Sequence, residues 1–290
     1  MQNVIFDYCK SIYDYFKSLR IYQEQKLISK PYQVKFFNFW QVEIPDMWFY
    51  RFVQSRGLLK NSDLTIAFFS VFGTRRVINW NKSDVKIFFT GENVQRFGSY
   101  SDHALDYRMI DLSLGFEYLN DSRYLRFPLW LTDMFEPESS EEEIRKRCAE
   151  LSKTDFGERN GFAALISNGD ESGLRRNMCE STSTVREVNC AGSFMHNDDS
   201  LWQEYKNNKA DYLKNYRFNI CPENTNTNGY VTEKIFQAIA SGCIPVYWGS
   251  NNNPEPEVLN HDAILFWQFD GNNSSVLDFI NRKCIFKPCF

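Results

Sequence analysis

The chain has 290 residues, which is long for one ordinary core and suits two domains. Hydrophobic residues make up 43% and charged residues 24% of it, and the formal net charge is -4, as in many soluble globular proteins. With neither a basic excess nor an evident basic patch, this composition speaks against a nucleic-acid partner. The eight cysteines are scattered without CxxC spacing, which predicts reduced thiols rather than a metal site.

The first twenty residues predict an amphipathic helix, because their apolar side chains recur near helical spacing. Charged residues interrupt this stretch, so we expect neither a signal peptide nor a membrane span. Packing of the helix against the protein is the favoured use. Binding to a membrane surface is the weaker alternative, because the polar face carries both acidic and basic side chains. The apolar positions are Val4, Ile5, Tyr8, Ile12, Tyr15, Phe16 and Leu19.

Aromatic residues are abundant, at 17% of the chain, and cluster at 36–40 and 47–50. Most are expected in the core, with the two clusters as an alternative border for a sugar, because aromatic rings stack on sugar faces. Residues 85–89 then read as a buried strand that places Glu92 just beyond its carboxyl end, where parallel sheets bind ligands. Glu92 is therefore either a catalytic base or an ordinary loop residue.

A polar, charged stretch at 136–159 is predicted as the linker between domains 1–157 and 158–290. Either Ser139 or Ser140 is placed to cap a helix within it, since acidic residues follow in the first turn. Residues 161–166 predict the opening strand of the second domain. A helix carrying Arg175 and Arg176 near its start follows this strand.

The segment 216–249 predicts a strand, a polar loop, a helix and a second strand. The strands fall at 217–221 and 244–248, and the helix ends at Ser241. This length fits one βαβ unit, so the sequence predicts a parallel sheet covered by helices. The loop at 223–229 lies at a carboxyl end, where such sheets bind ligands.

Lys234 falls in the first turn of that helix, where the helix dipole favours an anion over a cation. A phosphate there would use the backbone N–H groups and the ammonium together. Glu233 beside it is placed to accept hydrogen bonds from sugar hydroxyls. The alternative is that both residues belong to an ordinary solvated helix face.

Two groups of motifs carry a resemblance to a known family. The first is Glu223-Asn224, then Tyr230 with VTEK at 231–234, and IPVYWG at 244–249. The second is FTGEN at 89–93, followed by LRFPL at 125–129. In this order and at these separations they resemble the α-1,3-fucosyltransferase family, its bacterial members above all. The resemblance covers about residues 62–270 and implies an α/β fold of the GT-B type, with two Rossmann-like domains facing each other across a cleft.

The resemblance also implies roles for individual residues. Glu92 corresponds to the general base, and Arg176, with Arg175 as the close alternative, to the arginine that contacts the pyrophosphate. Asn224 and Tyr230 correspond to contacts with the donor nucleotide or its sugar, beside Glu233 and Lys234. Many bacterial relatives have an aromatic residue where this chain has Pro222, so the shape of that loop is the least transferable part.

The implied activity is inverting transfer of L-fucose from GDP-β-L-fucose to the 3-hydroxyl of GlcNAc or Glc in N-acetyllactosamine or lactose-type glycans, as in the synthesis of Lewis antigens. The alternatives are a GT-B transferase of another linkage or GDP-sugar, and an inactive glycan-binding relative. No obligatory metal is expected, although a divalent cation is a candidate stimulant. The expected location is the bacterial cytoplasm, with at most peripheral contact with the inner membrane. The oligomeric state stays open.

Overall fold

A computed structural model describes residues 2–39, 43–106, 109–152 and 159–285. The chain divides into two compact units, residues 1–139 and 140–290. The predicted domain boundary between 157 and 158 lies outside the described residues, as does Trp40 of the first aromatic cluster. The predicted fold class, α/β with two Rossmann-like units, is confirmed by a parallel five-stranded sheet in each unit.

The first unit contains one parallel sheet whose strands lie in chain order, each paired with the next. Its strands are β1 (Val34–Phe37), β2 (Ile66–Phe69), β3 (Val85–Phe89), β4 (Leu112–Gly115) and β5 (Tyr124–Arg126). Its helices are α1 (Gln2–Ser29), α2 (Trp48–Ser55), α3 (Arg76–Trp80) and α4 (Trp130–Met134). Because all five strands run the same way, the loops that follow them share one edge of the sheet.

Aromatic side chains form much of the first unit's core. Phe36 stacks on Phe68 at a ring-centroid distance of 5.3 Å, and Phe49 lies 4.8 Å from Phe68 and 4.7 Å from Phe89. Packed aromatic pairs of this kind add about 0.5–1.5 kcal/mol beyond the burial of their area. Phe36 and Phe49 therefore belong to the core, and the idea that they border a sugar is wrong for these two residues.

Helix α1 packs on the first unit, as predicted, and extends to residue 29. Tyr22 anchors it, with ring centroids 5.5 Å from Phe37 and 5.7 Å from Trp80. The face turned to solvent carries apolar side chains that include Tyr13 and Phe16. Within the described residues, no helix combines the length and the apolar character needed to cross a bilayer.

The second unit contains a parallel sheet in the order β10-β9-β8-β6-β7. Its strands are β6 (Gly161–Leu165), β7 (Asn189–Cys190), β8 (Tyr216–Ile220), β9 (Ile244–Tyr247) and β10 (Leu265–Phe266). Its helices are α5 (Glu141–Leu151), α6 (Leu174–Ser183), α7 (Ser200–Gln203), α8 (Lys209–Leu213), α9 (Glu233–Ala240) and α10 (Ser274–Ile285). The predicted βαβ unit is confirmed as β8, α9 and β9.

Local signals explain where two of these helices begin and end. The Ser140 side chain accepts a hydrogen bond from the Glu143 N–H, and the Glu143 side chain accepts one from the Ser140 N–H, so a capping box starts α5. Ser140, rather than Ser139, is therefore the cap. Helix α9 ends at Ala240 with Ser241 as its C-cap, and Gly242 follows with a φ of +73°, the left-handed conformation that commonly ends helices.

Candidate functional site

The order of strands in the second unit defines a switch point. From β6 the chain moves to β7 on one side and then returns to place β8 on the other side of β6. In open parallel sheets, ligands bind beyond the carboxyl ends of the strands at such a reversal. The loops that follow β6 and β8, at 166–173 and 221–232, lie at this edge. They contain or adjoin most of the site residues predicted from the sequence.

A direct side-chain contact joins the two loops. Arg175, at the start of α6, donates a hydrogen bond from Nη2 to Oδ1 of Asn224, over 2.7 Å. Its Nη1 donates to the carbonyl oxygen of Gly169 over 2.8 Å. The structure therefore brings Arg175 and Asn224 together at the switch point, although they lie 49 positions apart in the chain.

The Arg176 side chain makes different contacts, although the family resemblance favours it for the pyrophosphate contact. Its Nη1 lies 3.2 Å from Oε1 of Glu180, one turn along the same helix, and its guanidinium lies 5.5 Å from the centroid of the Phe194 ring. The Asp170 carboxylate accepts hydrogen bonds from the N–H groups of both arginines and so caps α6. Arg175, the alternative from the sequence, is therefore the arginine that contacts Asn224, while the choice between the two arginines for a pyrophosphate contact stays a prediction.

Lys234 lies in the first turn of α9, as predicted, and is held by three oxygen-bearing side chains. Its Nζ donates to Oγ1 of Thr232 over 2.7 Å and to Oε2 of Glu223 over 3.2 Å, and lies 3.7 Å from Oε1 of Glu233. Only 27% of its side chain is exposed. These contacts rule out the reading of Lys234 as part of an ordinary solvated face.

Glu223 organises this corner of the site, a role that the sequence analysis missed. Its carboxylate is fully buried and accepts hydrogen bonds from the N–H and the hydroxyl of Thr232, both over 2.7 Å. A Cβ at Gly249 would come within 2.7 Å of the Glu223 side chain, so this position requires glycine. Glu223 therefore fixes the start of α9 against the end of β9.

Pro222, the expected weak point of the family analogy, fits the sheet. The N–H groups of its neighbours Cys221 and Glu223 donate to the carbonyl oxygens of Val246 and Trp248, over 3.0 and 2.8 Å. Parallel pairing uses alternate N–H groups on each side of a strand, so the N–H that proline lacks is not one that β9 would use. The loop therefore keeps Glu223 in place despite the proline.

The electrostatics of Lys234 reflect these contacts. Burial alone would lower its pKa, but the negative charges of Glu223 and Glu233 outweigh burial and raise the pKa overall. The positive charge of Arg175 acts weakly in the opposite direction. The Lys234 ammonium is therefore charged and paired with two carboxylates, whereas the guanidinium of Arg175 donates to two neutral oxygens, those of Gly169 and Asn224.

Two further predicted residues occupy different surroundings. Tyr230 is buried, with 1% of its surface exposed, and follows Gly229, whose N–H donates to Oγ of Ser250 over 3.1 Å. Its contact with a donor nucleotide stays a prediction. Glu92 belongs to the first unit and follows β3, where its N–H donates to Oγ1 of Thr90 over 2.9 Å. This bond fixes the backbone of Glu92 at the carboxyl edge of the first sheet.

Histidine, cysteine and carboxylate side chains do not gather into a metal-binding group of three or more among the described residues. The five cysteines whose surroundings the structure describes are all free thiols: Cys148, Cys179, Cys190, Cys221 and Cys243.

These observations define a two-unit parallel α/β protein in which Arg175 contacts Asn224 at the switch point of the second sheet. Comparisons of sequence make the assignment specific. Residues 34–133 match the alpha-(1,3)-fucosyltransferase FucT N-terminal domain, and residues 156–275 match the C-terminal part of glycosyltransferase family 10 (fucosyltransferase). The chain belongs to glycosyltransferase family 10, the fucosyltransferases.

Individual relatives agree with this assignment. The chain is 28% identical over 236 residues to alpha-(1,3)-fucosyltransferase FucT of Helicobacter pylori, covering 71% of this chain and 46% of that protein. It is 31% identical over 103 residues to alpha-(1,3)-fucosyltransferase B of Drosophila melanogaster, covering 33% of this chain and 23% of that protein. The chain thus spans less than half the length of either relative.

A solved structure supports the fold. The crystal structure of an alpha1,3-fucosyltransferase with GDP-fucose superimposes with a TM-score of 0.55. The sequences are 23% identical, and the match covers 86% of this chain and 77% of that chain.

Proposed function

We propose that this protein is an inverting α-1,3-fucosyltransferase. It would transfer L-fucose from GDP-β-L-fucose to the 3-hydroxyl of GlcNAc or Glc in N-acetyllactosamine or lactose-type glycans. The family supplies the reaction class. The donor, the linkage and the acceptor are parts of the proposal.

The observation that carries the proposal is the contact of Arg175 with Asn224 at the switch point, in the unit that also holds Lys234 in the first turn of α9. A guanidinium binds phosphate oxygens in a bidentate manner, and an ammonium at a helix start adds a second positive charge. Together they suit the two phosphates of GDP. Glu233, at the first position of α9, is the candidate partner for hydroxyls of fucose or ribose.

In the proposed reaction, the acceptor hydroxyl oxygen forms a bond with the anomeric carbon of fucose, and the bond from that carbon to the β-phosphate oxygen breaks. Glu92 takes the proton of the attacking hydroxyl as general base. The electron pair of the broken bond remains on GDP, whose growing negative charge Arg175 and Lys234 stabilise. Inversion follows because the nucleophile and the leaving group act on opposite faces of the sugar.

The proposal also covers metal dependence, cellular location and membrane contact. Arg175 and Lys234 supply the positive charge that a metal would otherwise bring to the diphosphate, so activity should survive EDTA. A divalent cation remains a candidate stimulant of the reaction. The unpaired thiols suit a reducing compartment, which favours the cytoplasm. Peripheral contact with the inner membrane stays a prediction.

Donor binding gives the first test. We expect Arg175→Ala to weaken GDP binding about 10- to 100-fold, because charge-assisted hydrogen bonds contribute about 1.5–3 kcal/mol. Arg176→Ala, the matched control on the next position, should change the dissociation constant less than threefold. Isothermal titration with GDP measures both. Equal loss in the two variants, or loss only in Arg176→Ala, would refute the assignment of Arg175.

Turnover gives the second test. Glu92→Gln should lower the transfer rate about 10²- to 10⁴-fold while GDP affinity persists, because it removes the general base. Glu136→Gln is the control, since Glu136 is an exposed carboxylate of the same unit. Unchanged turnover in Glu92→Gln would remove Glu92 from this role.

Substrate identity gives the third test. We expect GDP-fucose to react and GDP-mannose not to react, with type 2 and lactose acceptors modified at the 3-hydroxyl, as NMR of the products would reveal. Equal use of GDP-mannose would point to another GDP-sugar. Unmodified type 2 and lactose acceptors would refute the proposed linkage.

A further inference from the structure

A second group of polar side chains lies at the carboxyl end of β4 in the first unit, outside the residues used so far. Only 1% of the His103 side chain is exposed, and its Nε2 lies 3.4 Å from Oε2 of Glu117. This is ion-pair distance, but the alignment is too poor for a hydrogen bond. Within the described part of the chain, the two ring nitrogens of His103 and the hydroxyl of Tyr124 lack hydrogen-bond partners.

Buried polar groups without partners are costly, at about 1–3 kcal/mol each, so their presence calls for a reason. Two of these groups meet at one point: a Cβ at Gly115 would lie 2.6 Å from Nδ1 of His103 and 2.8 Å from the Tyr124 hydroxyl. The Tyr124 and His103 rings pack edge to face with centroids 5.2 Å apart. The cluster is therefore compact, and its hydrogen-bonding capacity is incompletely used.

The turn that carries His103 is strained and held firmly. His103 and Ala104 have φ values of +54° and +60°, a conformation that costs a side-chain-bearing residue about 1–3 kcal/mol. Asp102 stabilises the turn by accepting the Ala104 N–H and by a two-fold contact with Arg75, with both nitrogen–oxygen distances 2.8 Å. Strain of this kind persists where the surroundings enforce it, and it concentrates at functional sites.

Glu117 and Glu92 lie in the loops that follow two neighbouring strands. Phe89 of β3 pairs with Leu114 of β4, and the two glutamates lie three positions beyond these partners. Neighbouring strands are about 4.8 Å apart, so the two loops adjoin at one edge of the sheet. The side chain of Gln95, three residues after Glu92, also lowers the pKa of the Glu117 carboxylate, as a smaller effect than that of His103. The candidate base and Glu117 thus share one surface of the first unit.

The charge state of Glu117 suits a ligand with hydroxyl groups. The contact with His103 lowers the pKa of Glu117 and outweighs burial, which acts in the opposite direction. An ionised carboxylate only accepts hydrogen bonds, and a sugar hydroxyl donates one. Burial raises the pKa of Tyr124, so its phenol stays protonated and able to donate. With 21% of its side chain exposed, Glu117 remains reachable from solvent.

We propose that Glu117 binds a hydroxyl of the acceptor sugar at the carboxyl edge of the first sheet, and that His103 positions its carboxylate. The proposal rests on the function proposed above. The neighbouring Tyr118 is exposed and carries the Arg126 guanidinium 4.3 Å from its ring centroid, so an aromatic surface adjoins the carboxylate. Carboxylate and aromatic surface together fit a neutral, polyhydroxylated ligand.

The test compares Glu117→Gln, a nearly isosteric change, with the control Glu136→Gln. For Glu117→Gln we expect the KM for N-acetyllactosamine to rise at least tenfold. The dissociation constant for GDP and the hydrolysis of GDP-fucose without acceptor should stay within twofold of wild type. Glu136→Gln should leave all three quantities within twofold. The thermal unfolding of each variant checks its folding.

The role of His103 is tested by two substitutions. Asparagine tolerates the left-handed backbone and keeps a side-chain donor, so His103→Asn should raise the acceptor KM less than threefold. Phenylalanine fills similar space without a donor, so His103→Phe should raise it as much as Glu117→Gln does. KM values within twofold of wild type in both His103 variants would remove the histidine from the positioning role.

Two outcomes would overturn the role of Glu117: an acceptor KM within twofold of wild type, or a lower kcat at unchanged KM, which would make Glu117 a support of Glu92 instead. Failure of the proposed function is distinguishable, because wild type would then neither bind GDP nor consume GDP-fucose. In that case, NMR titration of N-acetyllactosamine still decides the matter. Weaker binding by Glu117→Gln than by wild type supports the role, and equal binding refutes it.

Discussion

Replacing Glu223 with glutamine would measure how far the second unit depends on one buried carboxylate. The carboxylate accepts two hydrogen bonds from Thr232, both over 2.7 Å, and one from Lys234 over 3.2 Å. Glutamine retains one acceptor oxygen, but its NH₂ group would face a group that itself donates a hydrogen bond, from Thr232 or Lys234. The substitution also leaves Lys234 without its fully buried counter-charge.

The expected cost follows from these losses. Breaking a buried ion pair costs about 3–5 kcal/mol, and the partial exposure of Lys234 places the estimate near the lower limit, at about 3 kcal/mol. For a unit of this size, that lowers the melting temperature by roughly 6–12 °C. Because the pKa of Lys234 is raised, the pair contributes fully below the unfolded-state pKa of about 10.4, and its contribution fades as pH rises through the folded-state value.

Urea unfolding at pH 7, followed by tryptophan fluorescence and circular dichroism, measures the loss. Glu180→Gln is the matched control, since it removes only the exposed ion pair with Arg176 and should cost less than about 0.5 kcal/mol. A loss of less than about 1 kcal/mol in Glu223→Gln, at an unchanged denaturant slope, would refute the view that Glu223 anchors the start of α9.

Two further predictions concern the second unit. Gly192→Ala should lower the free energy of unfolding of this unit by about 3 kcal/mol and weaken GDP binding, because the new Cβ would lie 2.0 Å from the carbonyl oxygen of Ser167. The control Gly169→Ala places its Cβ in open space and should change the free energy of unfolding by less than about 0.5 kcal/mol. Equal effects of the two substitutions would contradict the clash. Burial raises the pKa of Asp198, but hydrogen bonds to its carboxylate outweigh burial and lower the pKa to about 2. Ionised Asp198 therefore stabilises the fold above the unfolded-state pKa of about 3.9, and this stabilisation is lost as pH falls toward 2. The stability gap between wild type and Asp198→Asn, measured by urea unfolding, should therefore narrow by about 2 kcal/mol from pH 5 to pH 2. A constant gap would refute the low pKa of Asp198.

The sequence predicted the parts of the fold that depend on local pattern. Strand β3 lies at the predicted residues because a run of apolar residues is bounded by polar loops. Helix α9 and its two strands follow from apolar spacing and from the glycine that ends the helix. The arginine contact was harder, because Arg175 and Arg176 are neighbours that a helix turns about 100° apart. Which of them faces Asn224 depends on where α6 begins, and the Asp170 carboxylate helps to fix this by accepting hydrogen bonds from the N–H groups of both arginines.

Other features had no local signal. Glu223 stood within a recognised motif, but nothing in the sequence showed that its carboxylate is buried under Gly249 rather than turned to a ligand. His103 and Glu117 meet only because a strained turn folds under β4, and no periodicity marks such a turn. Tertiary packing, rather than propensity, determines these contacts.

The contact between Arg175 and Asn224 has a consequence for ligand capture. An amide oxygen is neutral, so Asn224 holds the Arg175 guanidinium without cancelling its charge, whereas the Glu180 carboxylate pairs with Arg176. An arriving diphosphate would meet a side chain that is already ordered and still fully cationic. Part of the entropic cost of immobilising a long side chain is thus met during folding, before any nucleotide arrives.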